Sequence, residues 1–192
     1  LMNHLKIKSW CHVTHDVGGL WTWELMKVSP EKIKNLVILN TIIFDEGFNP
    51  PVRMKKGPFA KIAMSMYHSW LTNGIMMKSL FKIGLKNHKL SKSDLYGYKK
   101  PLLENKTKGM YNFFTKTSQE LPNYKNVFNS INCPTIIIWG EHDEMLQWDP
   151  QSDRVLNEFN LSQKNVHLLD EKHFIQEVYF NEICELINSL NK

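Results

Sequence analysis

The sequence predicts an α/β fold in which a mostly parallel sheet is interrupted by an inserted helical segment. Strand-like and helix-like stretches alternate with short joins near both ends of the chain, which is the pattern of parallel βαβ units. Residues 34–40 form a continuous apolar strand, as expected for a sheet covered on both faces. Residues 49–130 show helical spacing without a strand pattern. We therefore expect a core built from residues 1–49 and 131–192, with a helical cap over 50–130.

The N-terminal part contains the first βαβ unit. Residues 1–7 space their apolar side chains as a helix would, and residues 9–14 read as a short buried strand. A helix over 20–27 follows, and Ser29-Pro30 ends it before the strand at 34–40. This order predicts that the strands over 9–14 and 34–40 are parallel neighbours.

The insertion and the C-terminal part are separated by a clear change in pattern. Pro50-Pro51 and Gly57-Pro58 open the insertion, and Met, Phe, Tyr and Lys dominate the helical stretches after them. The α/β rhythm resumes at Cys133-Pro134. Strands are predicted over 135–139 and 165–169, and helices over 150–159 and 175–190.

The composition narrows the function classes. The chain has 192 residues, 42% of them hydrophobic, and no apolar run long enough for a membrane helix, so no membrane partner is expected. The net charge of +5 looks scattered and rests on Lys rather than Arg, which argues against a nucleic-acid partner. Three widely spaced cysteines fit buried free thiols in a reducing, cytoplasmic compartment.

The segment Thr14-His15-Asp16-Val17-Gly18-Gly19 lies between a predicted strand and a predicted helix. A nucleophile on a sharp strand-to-helix turn needs small neighbours, and Gly18 and Gly19 meet that need. Thr14 is bulkier than the glycine usual at its position. The alternative interpretation is a simple βα turn in which Asp16 caps the helix.

Two further candidates follow the next two predicted strands. Asp143 comes after the strand at 135–139, and His173 comes after the strand at 165–169. Each alone could be an ordinary loop carboxylate or a histidine at the start of a helix. Together with Asp16 they give the chain order nucleophile, acid, histidine, at strand ends where open α/β sheets bind ligands.

These motifs resemble the α/β-hydrolase superfamily, specifically the branch of haloalkane dehalogenases and epoxide hydrolases. The resemblance rests on His15-Asp16-Val17-Gly18-Gly19, on Trp139-Gly140 with Asp143, and on His173-Phe174-Ile175-Gln176-Glu177. Residues 90–102 resemble a dehalogenase cap. The resemblance implies the C-terminal half of the mostly parallel α/β-hydrolase sheet with an inserted helical cap.

An aspartate nucleophile points to a particular reaction class. A carboxylate is ionised at neutral pH and can form a stable alkyl ester at an sp³ carbon, whereas attack on a carboxylic ester would give a reactive anhydride. His173 would activate water against the ester of Asp16, Asp143 would orient His173, and the backbone N–H of Val17 would face the oxyanion. No metal and no cofactor are implied, and the expected partners are a small hydrophobic organic substrate and water.

The leaving group separates the alternatives. A dehalogenase holds the halide with indole N–H groups, but Val17 has no side-chain donor, so Trp70 is the candidate, with cap packing as its alternative. An epoxide hydrolase would protonate the ring oxygen with a cap tyrosine such as Tyr111. Phe114 stands where that tyrosine is expected, which favours a dehalogenase-like enzyme with Trp70, Tyr111 and Phe114 near the substrate.

The third hypothesis is a catalytically impaired relative that acts as a binding protein. Val17 favours it, and so does the early position of the predicted elbow at residue 16. The strands and the oxyanion loop that the family places before the elbow are missing from this sequence. We therefore expect the strand at 10–14 to be an exposed edge, with the missing strands supplied by a second chain, carried by a longer protein of which this is the C-terminal portion, or lost in a truncated homologue.

Overall fold

The computed structural model describes residues 1–190 and contains one four-stranded parallel sheet. Its strands are paired in chain order, β1-β2-β3-β4, and every neighbouring pair is parallel, so each connection returns from one end of the sheet to the other. The bounds are β1 Trp10–Asp16, β2 Ile33–Thr41, β3 Thr135–Gly140 and β4 Val166–Leu169. All four strands lie where the sequence predicts them, and the α/β fold class is confirmed.

Eight α-helices accompany the sheet in the described part of the chain. Those associated with the sheet are α1 Gly18–Val28, α6 Lys125–Phe128, α7 Ser152–Glu158 and α8 Phe180–Ser189. The others are α2 Pro58–His68, α3 Asn73–Gly84, α4 Lys92–Leu103 and α5 Lys108–Asn112, which continues into a π-helical turn over Phe113–Thr117. None of the described helices is both long and apolar enough to cross a membrane.

The chain divides into two compact units. The sheet unit comprises residues 1–49 and those from 123 onwards, and the helical unit comprises 50–122. Helix α6, which falls inside the predicted cap, belongs to the sheet unit, where Phe128 packs edge-on against Trp23. The structure therefore ends the helical unit before residue 130.

The expectation of scattered charge is wrong once the two units are considered separately. The helical unit carries 14 of the 24 basic residues and 3 of the 19 acidic ones, a formal net charge of +11, which leaves −6 for the rest of the chain. The basic excess therefore belongs entirely to the helical unit.

The interior of the sheet unit is apolar and continuous. Strands β2 and β3 are buried along nearly their whole length, because the strands beside them and the helices on both faces exclude water. One face of the sheet packs a cluster made of Val37, Leu39, Ile136, Ile138, Ile175 and Ile183. At the open edge of the sheet, Val13 of β1 is 45% exposed. Completion of that edge by further strands stays a prediction.

Three local expectations are wrong. Residues 1–7 form hydrogen-bonded turns rather than a helix, because Lys6 takes a left-handed conformation with φ of 57° that a helix does not continue through. The predicted helix over 175–190 is a short 3₁₀ turn, Ile175–Glu177, followed by α8. The cysteines are free as predicted, but Cys184 is exposed and the other two are half-buried.

Candidate active site

The turn between β1 and α1 holds Asp16 in a strained conformation. Asp16 has a φ of 53°, in the left-handed region that residues other than glycine rarely adopt. The Thr41 hydroxyl donates to the carbonyl oxygen of Asp16 at 2.5 Å and accepts from the Gly19 N–H at 2.9 Å, which fixes both sides of the turn. A Cβ on Gly19 would come within 2.8 Å of the Ile42 carbonyl oxygen, so the close approach requires glycine.

The three residues predicted as a triad lie together. Nδ1 of His173 is 2.8 Å from Oδ2 of Asp143, and Nε2 of His173 is 3.7 Å from Oδ1 of Asp16. The Asp143 and His173 side chains are buried, whereas that of Asp16 is 51% exposed. Helix α1 begins without a side-chain cap, so the alternative role of Asp16 as a capping residue is wrong.

Asp143 is held by donors from two directions. Its Oδ1 accepts from the backbone N–H groups of Met145 (2.8 Å) and Leu146 (3.0 Å), and its Oδ2 accepts from Nδ2 of Asn40 at 2.7 Å. Burial would raise the pKa of Asp143, but the His173 ring, the Leu146 N–H and the Asn40 amide together hold that pKa below its ordinary value. Asp143 is therefore a buried, oriented carboxylate.

Asn40 is a site residue that the sequence interpretation missed. Besides donating to Asp143, it accepts at Oδ1 from the Gly140 N–H at 2.8 Å, so it links the ends of β2 and β3 to the acid. Asn40 is fully buried. The available signal was a polar amide that directly follows the apolar run Leu36–Leu39, next to the predicted ligand-binding edge.

The environment of His173 favours its protonated form. Burial would lower the pKa of His173, but the hydrogen bond to Asp143 and the negative charges of Asp143 and Asp16 raise that pKa above its ordinary value. The His173 imidazole can therefore accept a proton, and the resulting imidazolium would lie between the carboxylates of Asp143 and Asp16. That is the requirement for a general base paired with an orienting acid.

His15 contacts both the backbone and the ring of His173. Its Nε2 lies 3.0 Å from the carbonyl oxygen of His173, and the two ring centroids are 4.6 Å apart. Since a carbonyl only accepts, Nε2 of His15 carries the proton in this contact. Burial first, and the neighbouring His173 ring second, lower the pKa of His15 to about 4, so His15 is neutral at neutral pH.

Gly140 allows the loop that carries His173 to reach the end of β3. A Cβ at this position would lie 1.9 Å from the Lys172 carbonyl oxygen and 2.6 Å from that of Glu171. Backbone atoms cannot move away as a flexible side chain can. The glycine is therefore a packing requirement of the site.

The remaining predicted site residues contribute unequally. Val17 is the residue that precedes the first turn of α1, where backbone N–H groups lack helical acceptors, and its isopropyl side chain has no donor. Trp70 lies in the helical unit with 80% of its surface exposed, while Tyr111 and Phe114 pack against Met54, Ala60 and Met64 in the same unit. Their roles at the substrate stay predictions.

One surface cluster has the composition of a metal site. Glu141, His142 and Asp170 could each offer one ligand atom, and these atoms lie within 4.8 Å of one another. All three residues are exposed, and the imidazole already pairs with Asp170 Oδ1 at 2.7 Å and with Glu141 Oε1 at 3.4 Å. We assign these contacts to surface ion pairing and no metal to the cluster.

Solved structures with the α/β-hydrolase fold match nearly the whole chain. The 2-hydroxy-6-oxo-6-phenylhexa-2,4-dienoate hydrolase of Rhodococcus sp. strain RHA1 matches with a TM-score of 0.68 and 15% identity, over 99% of this chain and 66% of that chain. A serine hydrolase of Cycloclasticus zankles gives 0.69 and 15%, over 98% and 66%. A variant meta-cleavage product hydrolase of Pseudomonas fluorescens IP01 gives 0.67 and 17%, over 98% and 66%.

These similarities show the fold, and the predicted α/β-hydrolase fold is confirmed. The chain spans slightly less than two thirds of the length of the proteins it matches. No protein-family model and no curated protein matches the sequence.

Proposed function

We propose that the protein is a hydrolase that uses Asp16 as a nucleophile and cleaves a carbon–halogen bond. The observation that carries the proposal is the hydrogen-bonded series Asp143–His173 beside Asp16, with Asp16 presented on a strained strand-to-helix turn. Strain of this kind persists only where surrounding contacts enforce it, and here Thr41 and Gly19 do so.

The first step uses the carboxylate alone. One Asp16 carboxylate oxygen attacks the sp³ carbon of a small alkyl halide, the carbon–halogen bond breaks, and halide leaves with the bonding electron pair. The product is an alkyl ester of Asp16. The 3.7 Å separation from His173 Nε2 exceeds hydrogen-bond length, so the imidazole does not hold the attacking oxygen.

The second step uses all three residues. His173 Nε2 takes a proton from water while the water oxygen attacks the ester carbonyl carbon of Asp16, and the Val17 N–H donates to the oxyanion that forms. Collapse expels the alkoxide, which takes the proton back from His173 and leaves as an alcohol. The balanced result is an alkyl halide and water giving an alcohol, halide and a proton, with Asp16 regenerated.

The residue type at the elbow separates this proposal from acyl transfer. One of the matched solved structures is a serine hydrolase, whose hydroxyl nucleophile forms a stable acyl ester. Asp16 would instead form an anhydride with an acyl group, a product far more reactive than an ester. The carboxylate therefore favours a substrate with an electrophilic sp³ carbon.

An epoxide hydrolase with the same triad is the second candidate. Val17 favours it, because a halide needs donors beside the nucleophile and Val17 supplies none from its side chain. The proton on the epoxide oxygen would come from a tyrosine of the helical unit such as Tyr111. The third candidate is a catalytically impaired relative that acts as a binding protein and turns over neither class of substrate.

The test compares the protein with its Asp16→Asn and His173→Gln variants on panels of haloalkanes and epoxides. Halide release that Asp16→Asn abolishes supports the dehalogenase, and diol formation with the same dependence supports the epoxide hydrolase. His173→Gln should complete the first step only, leaving Asp16 alkylated, which intact-mass spectrometry detects as an added alkyl group. A folded protein that turns over neither panel and never becomes alkylated would refute both enzymes.

A further inference from the structure

The helical unit combines a strong positive charge with exposed apolar side chains. Its formal net charge is +11 over residues 50–122, and all but one of its basic residues are lysines. Lysine is a compact charge on a flexible apolar stem, suited to attraction by a charged surface rather than to bidentate recognition of one group. The unit therefore has long-range attraction for an anionic partner.

Helix α2 is apolar on two opposite faces. Ala60 and Met64 are buried and pack against the residues of α5 and the π-helical turn. Phe59, Ile62 and Met66 follow the spacing i, i+3, i+7 of a second face, and they are 75%, 62% and 39% exposed. One face thus forms the interior of the helical unit, and the other presents apolar side chains outward.

The segment that follows α2 also exposes large apolar side chains. Trp70 and Leu71, in the connection between α2 and α3, are 80% and 65% exposed, and Ile75 in the first turn of α3 is 70% exposed. Exposed lysines precede, interrupt and follow these residues along the chain. We call this set the apolar face: Phe59, Ile62, Met66, Trp70, Leu71 and Ile75, flanked by Lys55, Lys56, Lys61, Lys78 and Lys82.

We propose that the apolar face binds the surface of a membrane that contains anionic phospholipids. The large apolar side chains would enter the boundary between headgroups and acyl chains, with the Trp70 indole at the headgroup level where tryptophan is favoured. The flanking lysines would extend their ammonium groups toward the lipid phosphates. The face lies on the surface, and this binding requires no membrane-spanning helix.

The chemistry of the face favours lipid over other anionic partners. Nucleic acid would engage the lysines and stack on aromatic rings, but it has no use for the exposed aliphatic side chains of Ile62, Leu71 and Ile75. A second copy of the same face would bring two units of charge +11 together, which opposes association. An anionic bilayer satisfies both the charge and the apolar surface.

The experiment measures binding of the full chain to vesicles by flotation, which needs no enzymatic activity. Phosphatidylcholine vesicles are compared with vesicles that contain 30% phosphatidylserine, at low and high salt. Lys78→Gln/Lys82→Gln should weaken binding to the anionic vesicles by about 25-fold, at about fivefold for each lysine. Ile62→Asn/Ile75→Asn should abolish binding, whereas the control Val28→Asn, which alters a 79% exposed residue of the sheet unit, should not.

A second measurement locates the contact. Lipids with a quencher in the headgroup region should quench the fluorescence of the bound protein, and Trp70→Phe should remove that quenching even though Trp21 is also exposed, at 74%. Circular dichroism confirms that each variant is folded. The proposal would be overturned if the protein did not bind anionic vesicles or if the substitutions left that binding unchanged. It would also be overturned if the same residues mediated dimerisation or nucleic-acid binding instead of binding to vesicles.

Discussion

Replacing His15 by glutamine should make the protein more resistant to acid. In the folded protein the pKa of His15 is about 4, because the ring is buried and lies beside His173. In the unfolded chain it returns to its ordinary value of 6.5. Between these values the unfolded chain binds a proton that the folded protein excludes, so the free energy of unfolding falls as the pH falls through this window.

The size of the effect follows from the two pKa values. Each pKa unit corresponds to about 1.4 kcal/mol, so the penalty rises from near zero at pH 7.5 to about 2–3 kcal/mol at pH 4.5. Glutamine retains an N–H donor that can reach the His173 carbonyl oxygen but does not titrate. The difference in unfolding free energy between wild type and His15→Gln should therefore shift by about 2–3 kcal/mol across this interval, in favour of the variant.

Urea denaturation at several pH values measures that shift directly. Other groups also titrate in this range: burial lowers the pKa of His12, and Asp143 and Asp16 raise that of His173. His12 is common to both proteins and cancels in the comparison, whereas the loss of His15 also removes its repulsion with His173, which favours the variant in the same direction. Two stability curves that stay parallel within about 0.5 kcal/mol from pH 7.5 to 4.5 would show that His15 is not the buried, neutral group described above.

Two further predictions concern the backbone of the site. Gly140→Ala should lower the free energy of unfolding by about 3 kcal/mol and impair any turnover, because the new Cβ meets the Lys172 carbonyl oxygen. The control Gly97→Ala in α4, where nothing lies within 4 Å of the new Cβ, should raise the free energy of unfolding by about 0.5–1 kcal/mol. Equal effects of the two substitutions in denaturation would contradict the proposed clash. Asp16→Gly should be more stable than Asp16→Ala by about 1 kcal/mol, because only glycine is relaxed at φ of 53°, and equal melting temperatures would argue against strain at the elbow.

The sheet and the triad could be predicted because their signals are local. The continuous apolar runs of β2 and β3 identify buried parallel strands, and a residue directly after such a strand must lie at the carboxyl edge of the sheet. Asp16 is the last residue of β1, and Asp143 and His173 follow the ends of β3 and β4 after short loops. Their meeting point then follows from the parallel order of the strands and needs no knowledge of packing.

The supporting contacts could not be predicted, because they depend on distances between segments far apart in the chain. The Asn40 amide reaches Asp143 across 103 positions, and His15 reaches the His173 carbonyl across 158. Nothing in the composition of either segment specifies such a pair. The helix predicted over residues 1–7 was wrong for a local reason. The apolar spacing there is helical, but Lys6 takes a left-handed conformation that ends the hydrogen-bonded turns.

The strained elbow and the buried acid are parts of one arrangement. The left-handed conformation of Asp16 leaves its side chain half exposed, while the Thr41 hydroxyl donates to its carbonyl oxygen and fixes the backbone. The carboxylate is therefore accessible although the backbone that carries it is held in place. The buried Asp143 carboxylate, by contrast, is fully occupied by its hydrogen bonds. Since burial disfavours an unpaired charge, the carboxylate with satisfied hydrogen bonds is the one that can be buried, and the half-exposed carboxylate of Asp16 is the proposed nucleophile. The different roles proposed for the two aspartates therefore agree with their different hydrogen-bond partners and exposure.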